Sequence, residues 1–243
     1  AAEPPDAHER SELRSTGIVM AASAMAVLRG MTGFTLFLIA FWLRTADAPT
    51  AWFAAMIVAS SVGQLSGAVV APRIRRVVRE EYLLGSVLGL SSAVALLVTF
   101  PGSRVAIFFF AMTIGFAAGV GKLSFDAIVQ RDAPDANQGR SFARFETRFQ
   151  LTWVIGAVVP VMAPNGILPI RVGLIMLSIA SAVACFIYLG GLAAVRRGRR
   201  TPAQIISARL WTQDRYARVS ARLPKRMAAA LPPPASPSEP PPD

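Results

Sequence analysis

The chain has 243 residues and a net charge of +11, and 53% of its residues are hydrophobic while only 16% are charged. Soluble domains carry about a quarter charged residues, so this composition and the mean hydropathy of +0.48 argue against a soluble protein, including a basic nucleic-acid-binding one. Cys185 and His8 are the only residues of their types. An intrachain disulfide is therefore excluded, and neither a metal site nor a cofactor is predicted.

Six stretches are long and apolar enough to be transmembrane helices. A helix needs about 20 residues to cross about 30 Å of hydrocarbon. The sequence therefore predicts an all-α integral membrane domain, residues 17–195, in which six helices form an antiparallel bundle joined by short turns. The predicted spans are residues 17–43, 51–72, 82–100, 105–129, 142–163 and 170–195.

The distribution of arginine predicts the orientation of the bundle. The first, third and fifth connections hold one arginine each, whereas the second is rich in arginine, and a further group surrounds the fourth connection and follows the sixth span. Cytoplasmic connections of membrane proteins are enriched in Lys and Arg. We therefore expect a multi-pass protein of the cytoplasmic (inner) membrane with both termini in the cytoplasm. The lipid bilayer, and not nucleic acid, is the partner that this charge indicates.

Residues 1–16 are polar and are predicted to form a cytoplasmic linker ahead of the first span. Because the chain does not begin with Met, we expect it to be a processed product or a piece of a longer protein.

Polar side chains inside the first two spans are candidates for a solute cavity. Arg29 lies close to the middle of the first span and Gln64 close to the middle of the second. A charged side chain at this depth costs at least about 2.5 kcal/mol, so it should face a cavity or a partner. Arg29 could line a cavity and meet an anionic solute group or a carboxylate from outside these six spans, or it could be a structural arginine paired with helix-end carbonyls. Gln64 could contact the solute or form an interhelical hydrogen bond.

The fourth and fifth spans carry a group of charged residues towards their cytoplasmic ends. Lys122 and Asp126 are four residues apart and therefore share a helix face. We predict a network of the type Lys122–Glu146 and Asp126–Arg148, which acts either as a gate whose pairs break and re-form or as static contacts between two helices. Its predicted members are Lys122, Asp126, Arg144, Glu146, Arg148 and Gln150. Glycines at 115, 119, 121 and 156 are more simply explained as close-packing positions than as ligand contacts.

The C-terminal part of the chain has a different composition. Residues 196–223 open with a cluster of arginines and are predicted to be a basic cytoplasmic segment, in which residues 203–223 have a modest amphipathic pattern. This pattern suits a helix lying in the lipid headgroups and an ordinary solvated helix equally well. The proline-rich residues 224–243 are predicted to be a disordered tail.

Two segments resemble the major facilitator superfamily. The segment GAVVAPRIRR at residues 67–76 keeps the Gly67, Arg75 and Arg76 of that family's loop signature, with Arg73 as a further basic residue. It has Ala71 where the signature has Asp. Residues 121–161 are similar to the tenth and eleventh helices of a twelve-helix facilitator, and the first span is similar to a seventh helix. The resemblance implies that the chain is the C-terminal six-helix half of such a transporter.

The resemblance implies secondary transport of a small solute, as import or efflux, by alternating access. The partner of this half would be the N-terminal six-helix half or a second copy, with the solute bound between the two. No sequence motif indicates an enzyme. The alternative is a membrane interaction or assembly protein of the same fold that transports nothing and recruits partners through its basic C-terminal segment.

Overall fold

The computed structural model describes residues 16–132, 138–163 and 168–197, and these residues form six helices and no strand. The six predicted helices are present in the predicted order. Two helices extend one residue beyond the predicted membrane domain. Thr16, predicted to belong to the linker, begins the first helix, and Arg196, predicted to belong to the basic segment, ends the last. The predictions for residues 1–15, 198–223 and 224–243 lie outside the described residues. The helices are α1 (Thr16–Thr45), α2 (Thr50–Ile74), α3 (Glu80–Thr99), α4 (Arg104–Asp132), α5 (Gln138–Val161) and α6 (Ile170–Arg196).

Five of these helices, α1 to α4 and α6, are long and apolar enough to cross a membrane. Helix α5 is not among them, because Arg140, Arg144, Glu146 and Arg148 make its first half polar. Large apolar side chains are nevertheless exposed on the outside of the bundle, for example Leu65 on α2 and Ile155 on α5. An apolar exterior of this extent suits lipid as the solvent and not water.

Side chains at the ends of the helices and in one turn suit the backbone conformation there. The Ser103 hydroxyl accepts a hydrogen bond from the backbone N–H of Ala106 and so caps the start of α4. Glu80 and Glu81 occupy the first turn of α3, where carboxylates are favoured by the helix dipole. The turn between α1 and α2 contains Asp47 with a φ of 45°, a left-handed conformation that Asp and Asn tolerate better than most residues.

Glycines set the two most extensive helix pairings, α2 with α4 and α1 with α5. A Cβ added at Gly63 would overlap the backbone of Met112, and one at Gly115 would overlap the backbone of Ser60. Likewise, a Cβ at Gly33 would overlap the backbone of Trp153 on α5. The backbones therefore approach as closely as helices can, which is how small residues stabilise helix pairs in membranes. The predicted packing role of Gly115, Gly119 and Gly156 agrees with this arrangement.

Helices α3 and α6 are joined by side-chain hydrogen bonds, and glycines of α3 there meet side chains of α6 and not its backbone. The Ser92 hydroxyl donates to the Ser178 carbonyl at 2.9 Å, and the Ser178 hydroxyl donates to the Ser92 carbonyl at 3.0 Å. One step further along the pair, the Ser181 hydroxyl donates to the Leu88 carbonyl at 2.7 Å. Each of these hydroxyls is therefore satisfied by the other helix.

The reciprocal serine pair makes a prediction about stability. The Ser92→Ala and Ser178→Ala replacements should each lower the free energy of unfolding by about 0.6 kcal/mol, the mean measured for hydrogen bonds between membrane helices. Because both acceptors are backbone carbonyls that alanine retains, the double mutant should lose about the sum of the two. Thermal unfolding of the four proteins in detergent measures the losses. Ser86→Ala is the matched control, because the Ser86 hydroxyl donates within its own helix to Leu83. Losses no larger than that of Ser86→Ala would contradict the two interhelical bonds.

Candidate functional site

Four charged side chains from three helices form one ion-pair network, which we call the charged quartet: Arg29, Lys122, Asp126 and Glu146. The Lys122 Nζ lies 3.0 Å from Asp126 Oδ1 and 3.5 Å from Glu146 Oε2. The Arg29 guanidinium lies 3.5 Å from Glu146 Oε1. Glu146 is therefore the point at which α1, α4 and α5 meet, and the quartet carries two positive and two negative charges.

Apolar packing holds the quartet in place. Phe125 on α4 makes edge-on contacts with Phe145 and Phe149 of α5, at ring distances of 5.1 and 5.2 Å. These rings align the helix faces that carry Asp126 and Glu146. The Lys122 ammonium also lies 5.7 Å from the centre of the Phe142 ring, a favourable cation–π distance. The contact of α1 with α5 at the glycines then brings Arg29 within reach of Glu146.

The quartet is buried on one side and accessible on the other. The Arg29 side chain is 16% exposed and that of Glu146 is 36% exposed. Glu146 lies beside an open face of α5 that also carries Thr147, Gln150 and Leu151. The Gln150 amide donates to Glu146 Oε1 at 2.9 Å. The accessible side of the quartet is therefore the α5 side.

Arg29 also retains an unused donor. Its Nε is buried and has no hydrogen-bond partner among the described residues. A buried guanidinium N–H without an acceptor is unfavourable by about 1 to 3 kcal/mol or more.

The structure corrects part of the predicted network. The pairs Lys122–Asp126 and Lys122–Glu146 are formed, whereas the predicted pair Asp126–Arg148 is wrong, because Asp126 pairs with Lys122. Arg144 and Arg148 are exposed and have no ion pair within the described part of the chain. Arg29 pairs with Glu146, and not with the helix-end carbonyls proposed as the structural alternative. The sequence did not indicate this pair, since it depends on the packing of α1 against α5.

Gln64 lies apart from the quartet. Its side chain is exposed on α2 and makes no hydrogen bond to another described residue, so the interhelical hydrogen bond, one of the two alternatives for this residue, is not formed there. The glycine-arginine motif forms the last turns of α2 and the connection to α3. Gly67 packs closely against the Phe116 backbone, and the Arg73 guanidinium donates to the Val69 carbonyl at 2.9 Å. Arg75 pairs with Glu80 at 3.3 Å, and Arg76 lies exposed in the connection.

Sequence reasoning missed a second charged group, in which Glu80 and Glu81 are the acidic members. The Arg131 guanidinium at the end of α4 lies 2.7 Å from Glu81 Oε1 and 3.4 Å from Glu80 Oε2. Arg79 approaches Glu81 at 3.5 Å. In the sequence, Arg131 is one of the arginines around the fourth connection that indicate the orientation of the bundle. Two adjacent glutamates directly after an arginine-rich connection were the available signal for these pairs.

This second group predicts a loss of stability on mutation. Arg131→Gln removes the 2.7 Å contact of Glu81, whose side chain is only 11% exposed, and should cost about 1 to 3 kcal/mol because a buried acceptor loses its charged donor. Arg131→Lys should restore part of the loss. The loss is measured as the change in the thermal unfolding midpoint in detergent. The midpoints of Glu81→Gln and of the double mutant that combines both replacements are measured for comparison. The prediction is wrong if Arg131→Gln unfolds at the wild-type temperature.

No protein-family model, curated protein or solved structure matches this chain. The functional assignment therefore depends on the geometry of the charged quartet and its surroundings.

Proposed function

We propose that this chain is a six-span half of a secondary transporter of the major facilitator type, which moves a small solute across the cytoplasmic membrane by alternating access. In this proposal α5 also crosses the membrane, with Glu146 directed towards α1 and α4, and both termini lie in the cytoplasm. The other six-helix half, or a second copy of this chain, completes the solute cavity.

The charged quartet is the observation that carries the proposal. Ionisable side chains inside membrane helices are costly, are paired with one another, and mark solute or ion pathways. Here four of them meet where α1, α4 and α5 pack together. Their charges cancel, so the resting pairs are stable, yet a solute or proton that reaches Glu146 would leave Arg29 or Lys122 without a partner. Pairs of this kind can exchange partners as a transporter changes state.

The helix pairing also supports a transporter half. Suppose that α1, α2 and α3 exchange places with α4, α5 and α6, in that order. The pairing of α1 with α5 then becomes the pairing of α4 with α2, and these two pairings are the most extensive ones in the bundle. The reciprocal bonds of Ser92 and Ser178 join α3 with α6, the pair that this exchange leaves unchanged. Each half of a major facilitator transporter is expected to contain such an internal repeat of three helices.

Exposed polar side chains indicate which faces another protein half or water would cover. Gln64 on α2 and Gln150 on α5 are both exposed, whereas the apolar outer faces suit lipid. An amide in hydrocarbon is unfavourable by several kcal/mol when it has no partner, and Gln64 has none among the described residues, whereas Gln150 is bonded to Glu146. We therefore place the solute cavity along the faces of α2 and α5 that carry these amides.

The test begins with solute identification in living cells. Cells that express the wild-type protein, the Glu146→Gln variant or the Asp47→Asn variant would be compared. Untargeted mass spectrometry would measure the solutes in the cell extract and in the medium. The Asp47→Asn control makes the same carboxylate-to-amide change in the turn between α1 and α2, where Asn tolerates the positive φ. We expect at least one solute whose distribution changes with Glu146→Gln and not with Asp47→Asn.

Reconstitution then separates transport from an indirect effect. Each solute so identified would be loaded into liposomes that contain the purified full protein, and its flux would be measured directly. The proposal predicts flux for the wild type and for Asp47→Asn, and strongly reduced flux for Glu146→Gln. If the correctly inserted wild-type protein moves no such solute, the proposal is wrong.

A further inference from the structure

The end of α2 and the connection to α3 carry two arginines that no described carboxylate neutralises. The carboxylates nearby are those of Glu80 and Glu81, and three other arginines are paired with them. Arg73 and Arg76 are both exposed and form no ion pair with any described residue. This end of the bundle therefore presents two uncompensated positive charges outside the charged quartet.

Hydrogen bonds hold these two arginines close to one another. The Arg73 guanidinium donates to the Val69 carbonyl one turn earlier, at 2.9 Å, which fixes its position against the end of α2. The backbone N–H of Arg76 donates to the Arg73 carbonyl at 3.3 Å, so the turn continues from one arginine to the other. Residues three apart on such a turn are neighbours. The two guanidinium groups are therefore placed to contact one anion together.

An exposed apolar strip of α2 leads directly to these arginines. Val62, Val69 and Arg73 follow one another at intervals of seven and four residues and therefore lie on one side of the helix. The two valines are 50% and 58% exposed. Nine residues separate Gln64 from Arg73, which places these two on opposite sides of α2. The strip is thus turned away from the face on which we place the solute cavity, and lipid covers it when α2 crosses the membrane.

We propose that this end of α2 is a binding site for one anionic phospholipid. Its phosphate would contact Arg73 and Arg76, because arginine binds phosphate through charge-assisted hydrogen bonds. Its acyl chain would lie along Val69 and Val62, a contact that a soluble phosphate compound cannot make and that an acidic protein segment would leave uncovered. The site requires that α2 crosses the membrane, and it is independent of transport and of the charged quartet.

The test is native mass spectrometry of the full protein, purified in detergent and depleted of lipid. Dioleoyl phosphatidylglycerol and dioleoyl phosphatidylcholine, which have the same acyl chains and differ in net charge, would be titrated separately. Wild-type protein should bind the first phosphatidylglycerol molecule more tightly than the first phosphatidylcholine molecule. Arg73→Gln and Arg76→Gln should each weaken phosphatidylglycerol binding about fivefold, the factor expected for one arginine at an anionic lipid surface.

Two controls separate a defined site from general attraction by the charge of the protein. Arg44→Gln removes the same charge from an exposed arginine in the last turn of α1, at the opposite end of the bundle, and should bind as wild type. Glycerol 3-phosphate, which has a phosphate and no acyl chain, should not displace the lipid at equal concentration. Should one arginine variant fail to fold, the other decides together with the comparison of the two phospholipids. Equal weakening by Arg44→Gln, equal affinity for the two phospholipids, or displacement by glycerol 3-phosphate would overturn the proposal.

Discussion

Replacing Gly115 by alanine is expected to lower the free energy of unfolding by about 3 kcal/mol, the upper end of the usual cost of overpacking. The added Cβ would overlap the Ser60 carbonyl oxygen. Because this neighbour is backbone, a side-chain rotation cannot relieve the overlap, and α2 must move away from α4. The loss should appear in the thermal midpoint in detergent and in the fraction of protein that elutes as a single folded species.

A second glycine provides the control for this prediction. A Cβ at Gly89 on α3 would meet only the Cys185 Sγ, at an ordinary contact distance of 3.7 Å. Gly89→Ala should therefore be neutral or stabilising, because alanine is favoured over glycine in helices by up to about 1 kcal/mol. Equal stability of Gly115→Ala and Gly89→Ala would show that α2 and α4 are not packed as described.

Neutralising Arg29 and Glu146 together is expected to restore stability without restoring transport. Arg29→Gln leaves the quartet with a net charge of −1, and Glu146→Gln leaves it with +1. Each should cost about 1 to 3 kcal/mol, because a partly buried charge loses its partner. The double mutant is balanced again and retains the Lys122–Asp126 pair, so its stability should return towards that of the wild type.

Transport separates the two interpretations of the quartet. If the pairs are only static contacts between helices, the balanced double mutant should have the same flux per folded molecule as the wild type. If they exchange partners during the transport cycle, its flux should stay at least about tenfold below wild type, a factor that corresponds to about 1.4 kcal/mol. The two outcomes are distinguished by measuring solute flux in proteoliposomes that contain equal amounts of folded wild-type or double-mutant protein. Wild-type flux in the double mutant would remove the quartet from the mechanism.

The helices themselves could be predicted from the sequence because apolar length and positive charge are local signals. The pair Lys122–Asp126 could also be predicted, since four residues along one helix fix the distance between the two side chains. The contact between Arg29 and Glu146 could not be predicted, because it depends on how α1 packs against α5, and these two helices are far apart in the chain. The same is true of Arg131 with Glu80 and Glu81.

The wrong pair Asp126–Arg148 has a physical explanation. Both residues lie at about the same depth, so depth alone allowed the pair. The rotation of α5 about its own axis decides the partner, and the rings of Phe145 and Phe149 set this rotation by packing on Phe125. Arg148 then lies exposed. Hydrophobic packing therefore selected the ion pairs, and charge patterning alone could not.

Cysteine labelling tests most directly the claim that the chain crosses the membrane six times with its arginine-rich connections in the cytoplasm. In a Cys185→Ser background, single cysteines would replace Asp47, Val77 and Met162, and intact cells would be treated with a membrane-impermeant maleimide. Val77 lies in the connection from α2 to α3 and Met162 directly follows α5, and both are exposed. We expect labelling at positions 47 and 162 in intact cells and at position 77 only after permeabilisation. Labelling of position 77 in intact cells, or protection of position 162 while position 47 is labelled, would contradict the account.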